Sequence, residues 1–133
     1  MSGLFTFSKE ERLSHKSEID ALFNEGLSFT LGAFRVFYLL RPLAPAAIPT
    51  KILVAVPRKK FRRAVDRNRL RRMIREAYRL NKHLLKEKME TIPGMLHLGF
   101  VYIADREITY TLLEKDITGC LERTGRILLE RNR

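Results

Sequence analysis

The sequence is short of the residue types that would staple it, load it with metal or let it cut. A lone cysteine, Cys120, excludes an internal disulfide and any CxxC metal knuckle. The three histidines, His15, His83 and His97, show no HxH or HxxxH spacing and have no evident carboxylate partner. The 15 acidic residues are scattered, so no cluster stands out that could bracket a metal pair as a two-metal nuclease requires. Neither a GxGxxG nor a P-loop spacing occurs. No apolar run approaches the roughly 20 residues of a membrane span. The first residues, Met1 to Lys9, lack the basic and apolar regions of a signal peptide. These shortages set aside a disulfide scaffold, a metalloenzyme and a membrane protein. The expectation is a cytoplasmic chain with no catalytic residue and no metal ligand of its own.

What is present is an ordinary core and an unusual charge. A chain of 133 residues, 45% hydrophobic and 31% charged, is the size of one domain. At that length roughly two-thirds of the unfolded surface is buried. No internal repeat or low-complexity tract interrupts it, so residues 1–133 read as a single domain. Lys and Arg number 26 against 15 acids, for a net charge of +11. Such an excess is silent about fold but points to a polyanionic partner, nucleic acid ahead of an anionic membrane surface.

The pattern along the chain is α+β. Ser8 to Leu13 is charged and extended or loosely helical. Ser17-Glu-Ile-Asp20 has capping-box spacing, Ile19, Leu22 and Phe23 share a face, and Gly26 is a plausible stop. Residues 27–31 and 34–41 are rich in strand formers. A proline-bearing loop, Pro42 to Pro49, follows, because each proline removes a ladder donor. Residues 51–57, apolar on both faces, read as a central strand. From an N-cap at Asp66, a long helix carries Leu70, Met73, Ile74, Ala77, Tyr78, Asn81, Leu84 and Leu85 at helical spacing. Residues 96–104, apolar on both faces, read as a buried strand of the kind that pairs in parallel with its neighbour. A last helix starts near Thr109 or Thr111, where Thr111-x-x-Glu114 has capping-box spacing, with a buried stripe of Leu113, Ile117, Cys120, Leu121, Thr124 and Leu128. The expected architecture is a two-layer sandwich, a small mixed sheet of about four strands against helices, in the order α-β-β-β-α-β-α.

The charge is concentrated. Eleven cations (Arg58, Lys59, Lys60, Arg62, Arg63, Arg67, Arg69, Arg71, Arg72, Arg75 and Arg79) stand among residues 58–79 against Asp66 and Glu76 alone. On a wheel of about 100° per residue, Arg71, Lys82, Arg75, Asn68, Arg79 and Arg72 fall opposite the apolar stripe. Solvated faces mix signs, but Arg67/Arg71, Arg71/Arg75 and Arg75/Arg79 are like-charge pairs four apart, which weaken an isolated helix. Guanidinium forks also match phosphate oxygens two at a time, where ammonium is a point charge. Residues alone leave DNA as well as RNA open, since such a helix also fits a major groove.

At these residues the chain resembles the bacterial ribonuclease P protein family. Ala64-Val-Asp-Arg-Asn-Arg-Leu-Arg-Arg-Met-Ile-Arg75 is similar to its signature, Ala-Val-x-Arg-Asn-Arg, then a hydrophobic residue, two basic ones and Ile-Arg. The opening Phe5-x-Phe-Ser-Lys-Glu-Glu-Arg-Leu13, Phe23-x-x-Gly26 and Val54-Ala-Val-Pro-Arg-Lys-Lys-Phe61 also fit. Two positions depart: Arg62 stands where the family usually has Gly, and Ile19 where an aromatic is frequent. The resemblance implies a fold like ribosomal protein S5 domain 2 and a holoenzyme endoribonuclease that removes the 5′ leader of precursor tRNA. In that scheme the catalytic RNA and its Mg²⁺ do the chemistry, while the protein binds. Arg67, Asn68 and Arg69, with the cations at 58–63 and Arg71, Arg72, Arg75 and Arg79, would meet RNA. A cleft between the first helix and the sheet would take the single-stranded leader, with Arg12, Phe23, Phe34 and Phe37 as candidates. For each phenylalanine, a place in the core is the competing reading. Two other functions stay open: a plain RNA-binding module such as a ribosomal protein or RNA chaperone, and a self-sufficient nuclease.

Overall fold

The computed structural model describes residues 7–42 and 49–131. Phe5 and most of the proline-bearing loop, residues 43–48, lie outside the described residues. After a 3-10 turn at Lys9–Glu11 come α1 (Lys16–Glu25), β1 (Leu27–Leu31), β2 (Phe34–Arg41) and β3 (Thr50–Ala55). Then follow α2 (Ala64–Asn81), α3 (His83–Met89), β4 (Met95–Tyr102) and α4 (Tyr110–Arg131).

The sheet runs β1-β2-β4-β3, with β1/β2 and β2/β4 antiparallel and β3/β4 parallel. The parallel pair needs a long crossover, which α2 and α3 supply. β2 and β4 are therefore the inner strands, and β3, expected to be central, lies at an edge. Its free edge is met at one point, an isolated bridge between Arg12 and Ile52. The β1–β2 turn rests on Gly32, whose φ of 57° suits glycine and whose Cβ would collide with the Asp116 carboxylate. That carboxylate accepts the Ala33 N–H at 3.0 Å, tying the hairpin to α4.

Strand alternation separates two faces. Phe34, Val36 and Tyr38 of β2 point with Ile52, Val54, Leu98, Phe100 and Tyr102 into the main core. Leu70, Ile74, Ala77 and Tyr78 of α2 and the stripe of α4 close that core from above. α1 lies on the opposite face. Leu22 is fully buried there, beside Gly99, where a Cβ would come within 3.1 Å of the leucine Cδ2. The two-layer sandwich thus carries a single helix on its second face.

Several local signals act differently from their sequence reading. Ser17, Asp66 and Thr111 do not cap helices. α1 begins at Lys16, one residue before Ser17, and α2 begins at Ala64, two before Asp66; neither has a side-chain cap. In α4 the cap is Thr109, whose Oγ1 accepts the Leu112 N–H at 3.4 Å. The long helix breaks at Lys82 into α2 and α3. Lys82 is no part of the cationic face, because it is buried with its Nζ 2.8 Å from Glu11 Oε1. That ion pair pins the 3-10 turn against the helix junction.

His97 is buried under α1, 3.9 Å from Glu18, and among the described residues neither ring nitrogen has a hydrogen bond. Burial presses its pKa below the ordinary histidine value; Lys51 and Arg41 add to the depression and Glu18 opposes it. The folded state thus favours neutral His97, so stability is full above the unfolded pKa of about 6.5 and falls as pH drops below it. Thermal melts between pH 7.5 and 5 should show this loss, and His97→Gln should flatten it.

Candidate nucleic-acid interface

The cations of residues 58–79 fall into two groups once side chains are placed. Some hold the fold. Arg67 donates from one nitrogen to the carbonyls of both Phe61 and Arg62, each at 2.8 Å, fixing the loop that leads into α2. Arg69 bonds Glu107 with two nitrogens, at 2.9 and 2.7 Å, and Asp66 at 2.9 Å, and these contacts raise its pKa further. Arg79 is clamped to Glu76 at 2.6 and 2.9 Å. Lys60 reaches Asp105 and the Ile103 carbonyl. Arg63 lies 3.7 Å from Asp66.

The others have no acid within ion-pair distance among the described residues: Arg58, Lys59, Arg62, Arg71, Arg72 and Arg75. Arg58, Lys59 and Arg62 line one small concavity at the loop. Arg71 donates to the exposed Asn68 amide oxygen at 3.0 Å, leaving that asparagine's own N–H donors outward. Arg75 is partly desolvated beside Arg12 and Arg71, which together press its pKa down. An unneutralised cation group of this kind is a ready anion surface.

The leader-cleft candidates do not stay together. Phe34 is fully buried, packed edge-on against Phe100 and Tyr102 at 6.2 and 5.5 Å, so it is a core residue with no free face for a base. Arg12 belongs to the other side of the sheet, 5.1 Å over the Phe7 ring and beside the α2 arginines. Phe23 and Phe37 do meet, with centroids 4.8 Å apart at 71°, on the face that α1 partly covers. Phe23 is 38% exposed. Arg35, which the sequence reading passed over, lies 4.9 Å above the Phe37 ring and is exposed. Its alternation with Phe34 and Phe37 along β2 was the available signal. Lys51 and Arg41 add cations on the same face, around His97.

A model of the ribonuclease P family matches residues 7–125, a stretch that contains both surfaces. The chain belongs to the ribonuclease P protein family. A ribonuclease P protein component from Porphyromonas gingivalis is 40% identical over 119 residues, covering 90% of this chain and 86% of that protein. The ribonuclease P protein component of Dictyoglomus thermophilum is 36% identical over 90 residues, 68% of this chain and 71% of its own. In fold, the chain matches the ribonuclease P protein of Thermotoga maritima with a TM-score of 0.64 at 22% identity, over 85% of this chain and 96% of that one. The Staphylococcus aureus ribonuclease P protein gives 0.66 at 14% identity, over 89% and 97%.

Against this family, the departure at Arg62 costs the loop little. Its carbonyl accepts from Arg67 and its side chain is exposed, adding a cation beside Arg58 and Lys59. The signature arginine Arg67 is thus a scaffold residue as well as a charge. Arg67→Ala should lower stability by about 1–3 kcal/mol, since two carbonyls lose a charged donor. Arg72→Ala, on an exposed and unpaired side chain, should leave stability within about 0.5 kcal/mol. Urea unfolding of both variants checks the contrast.

Proposed function

We propose that this chain works as the protein component of ribonuclease P by binding two RNAs on two faces. The outer face of α2 and the loop at 58–62 bind the catalytic RNA. The sheet face beside α1 binds the single-stranded leader of precursor tRNA. Catalysis and the Mg²⁺ it requires belong to the RNA in this reading, and the holoenzyme works in the cytoplasm. Among the described residues, no helix is long and apolar enough to cross a membrane.

The observation that carries the reading is how charge is used around α2. The nearby acids Asp66, Glu76, Asp105 and Glu107 are all engaged by arginine or lysine. Six cations in the same region have no acid partner among the described residues, on a long helix and its leading loop. Phosphate contacts supply most of the affinity of such a surface and fix its register. On the second face, Phe23 and Phe37 offer ring surface flanked by Arg35, and base stacking tolerates any base, which suits leaders of variable sequence.

Precursor tRNA cleavage should be absent with the protein alone and faster with catalytic RNA plus protein than with RNA alone at physiological Mg²⁺. Cleavage by RNA-free protein at that Mg²⁺ level would overturn the division of labour.

Phe23→Ala should weaken binding of precursor tRNA by roughly tenfold, the equivalent of one lost stacking contact. Affinity for mature tRNA should hardly change. Melting curves come first, because Phe23 also packs on Phe37. A folded Phe23→Ala protein with an unchanged precursor-to-mature ratio would rule out the leader face.

A further inference from the structure

One concave site on the cationic side is built for more than phosphate. Between the 3-10 turn, the outer face of α2 and the first residue of α4 lies an open groove of about 620 Å³. That is within the usual range of roughly 300–1,000 Å³ for small-molecule sites. Phe7, Met73 and Tyr110 give it apolar surface, while Arg12, Arg72 and Arg75 give it charge. Its single acid, Glu76, is held by Arg79.

Each part is positioned by something else. Phe7 packs edge-on against the core residue Tyr78 at 5.8 Å, and Arg12 Cζ stands 5.1 Å from the Phe7 centroid. The Arg12 backbone is bridged to Ile52 on β3. Arg75 is half-buried and repelled by Arg12 and Arg71, an arrangement that an entering anion relieves. Tyr110 keeps its ring at the groove, and its buried hydroxyl has no hydrogen-bond partner among the described residues. A paired RNA stem offers such a site phosphates, 2′-hydroxyls and groove edges, but its base faces stay stacked and the apolar surface goes unused. A nucleotide out of its stack offers a phosphate, a flat base and polar base edges together.

We propose that this groove takes a single unstacked nucleotide of the partner RNA, its phosphate on Arg12 and Arg75 and its base against Met73 and Tyr110. The assignment rests on the reading that the outer face of α2 meets RNA. It adds that this face discriminates an extruded nucleotide from a continuous helix, which charge alone does not do.

Two RNA hairpins test it, identical except that one carries a single-nucleotide bulge. The wild-type protein should bind the bulged hairpin about tenfold more tightly, the scale of one stacked base. Tyr110→Ala and Arg75→Gln should each bring that ratio close to one. Arg58→Ala, on the separate loop concavity, should weaken both hairpins alike and keep the ratio. Arg75 is on the solvent side of α2, so it decides the matter if Tyr110→Ala melts early. Adenosine 5′-monophosphate should also shift the Met73 methyl resonance, and inorganic phosphate should not. Equal affinity for the two hairpins, or a ratio unchanged in Arg75→Gln, would overturn the proposal, as would an equal shift by inorganic phosphate. If the protein still activates the catalytic RNA in those cases, the nucleotide site alone falls. If it binds neither hairpin and activates nothing, the RNA-binding reading falls first and takes this site with it.

Discussion

Like charge on one helix is the constraint to which the rest of the structure answers. Three arginine pairs four residues apart, from Arg67 to Arg79, cost an isolated helix roughly 0.2–0.5 kcal/mol each. Leu70, Ile74, Ala77 and Tyr78 are buried on the opposite side. Burying one leucine or isoleucine contributes about 1.5–3 kcal/mol, so two such anchors already outweigh the repulsion. The helix is therefore held by tertiary packing, and its outer face is released from contributing to stability. Acids meet particular cations: Glu107 and Asp66 at Arg69, Glu76 at Arg79, Asp105 at Lys60. These exposed pairs add little stability. They orient side chains, and they leave Arg71, Arg72 and Arg75 un-neutralised further along.

The sheet turns that one helix into two separate working faces. Strand alternation sends Val36 and Phe100 into the core below α2 and α4, and sends Phe37 and Gly99 toward α1. Because Gly99 has no side chain, Leu22 packs close against the sheet at that point. α1 is short and covers only part of its face, so Phe23 and Phe37 stay accessible at its margin. The parallel β3–β4 pair matters for the same reason, since its crossover places α2 over the core face and away from α1.

Element types and order were legible because their signals are local. The apolar stripe of α4, all of which is buried, is one case, and the like-charge run of α2 is another. The signature around Arg67-Asn-Arg69 carried the family, and the match over residues 7–125 agrees with it. Partners distant in sequence were not legible. Nothing near Arg69 announces Glu107, 38 residues on, and nothing near Lys82 announces Glu11, 71 residues back. The wheel placed Lys82 among the exposed cations because it knows angle but not what crosses above. Phe34 and Phe37 differ by an odd step, so alternation puts them on opposite faces. Which face is the core depends on β4, whose place between β2 and β3 leaves no local signal in the sequence.

The distinction between fixed and unpaired cations bears on what the signature does. In Arg67-Asn-Arg69, both arginines are occupied within the protein, one by backbone carbonyls and one by two carboxylates. Each therefore has a scaffold role beside any phosphate contact, Arg67 through one guanidinium nitrogen and Arg69 through two. Arg67 sets the path of the chain from Phe61 into α2, and that path decides where Arg58, Lys59 and Arg62 stand. Arg69 joins α2 to the segment before α4, and so fixes the distance from Arg72 and Arg75 to Tyr110. The middle residue, Asn68, is exposed like Arg69 but meets no acid, its oxygen accepting from Arg71. Replacing an outer arginine thus disturbs the geometry of an entire surface, whereas replacing Arg72 or Arg75 removes one charge from a surface left in place. A loss of RNA affinity at Arg67 or Arg69 measures positioning and contact together. Only the cations that the fold does not use report on contact alone.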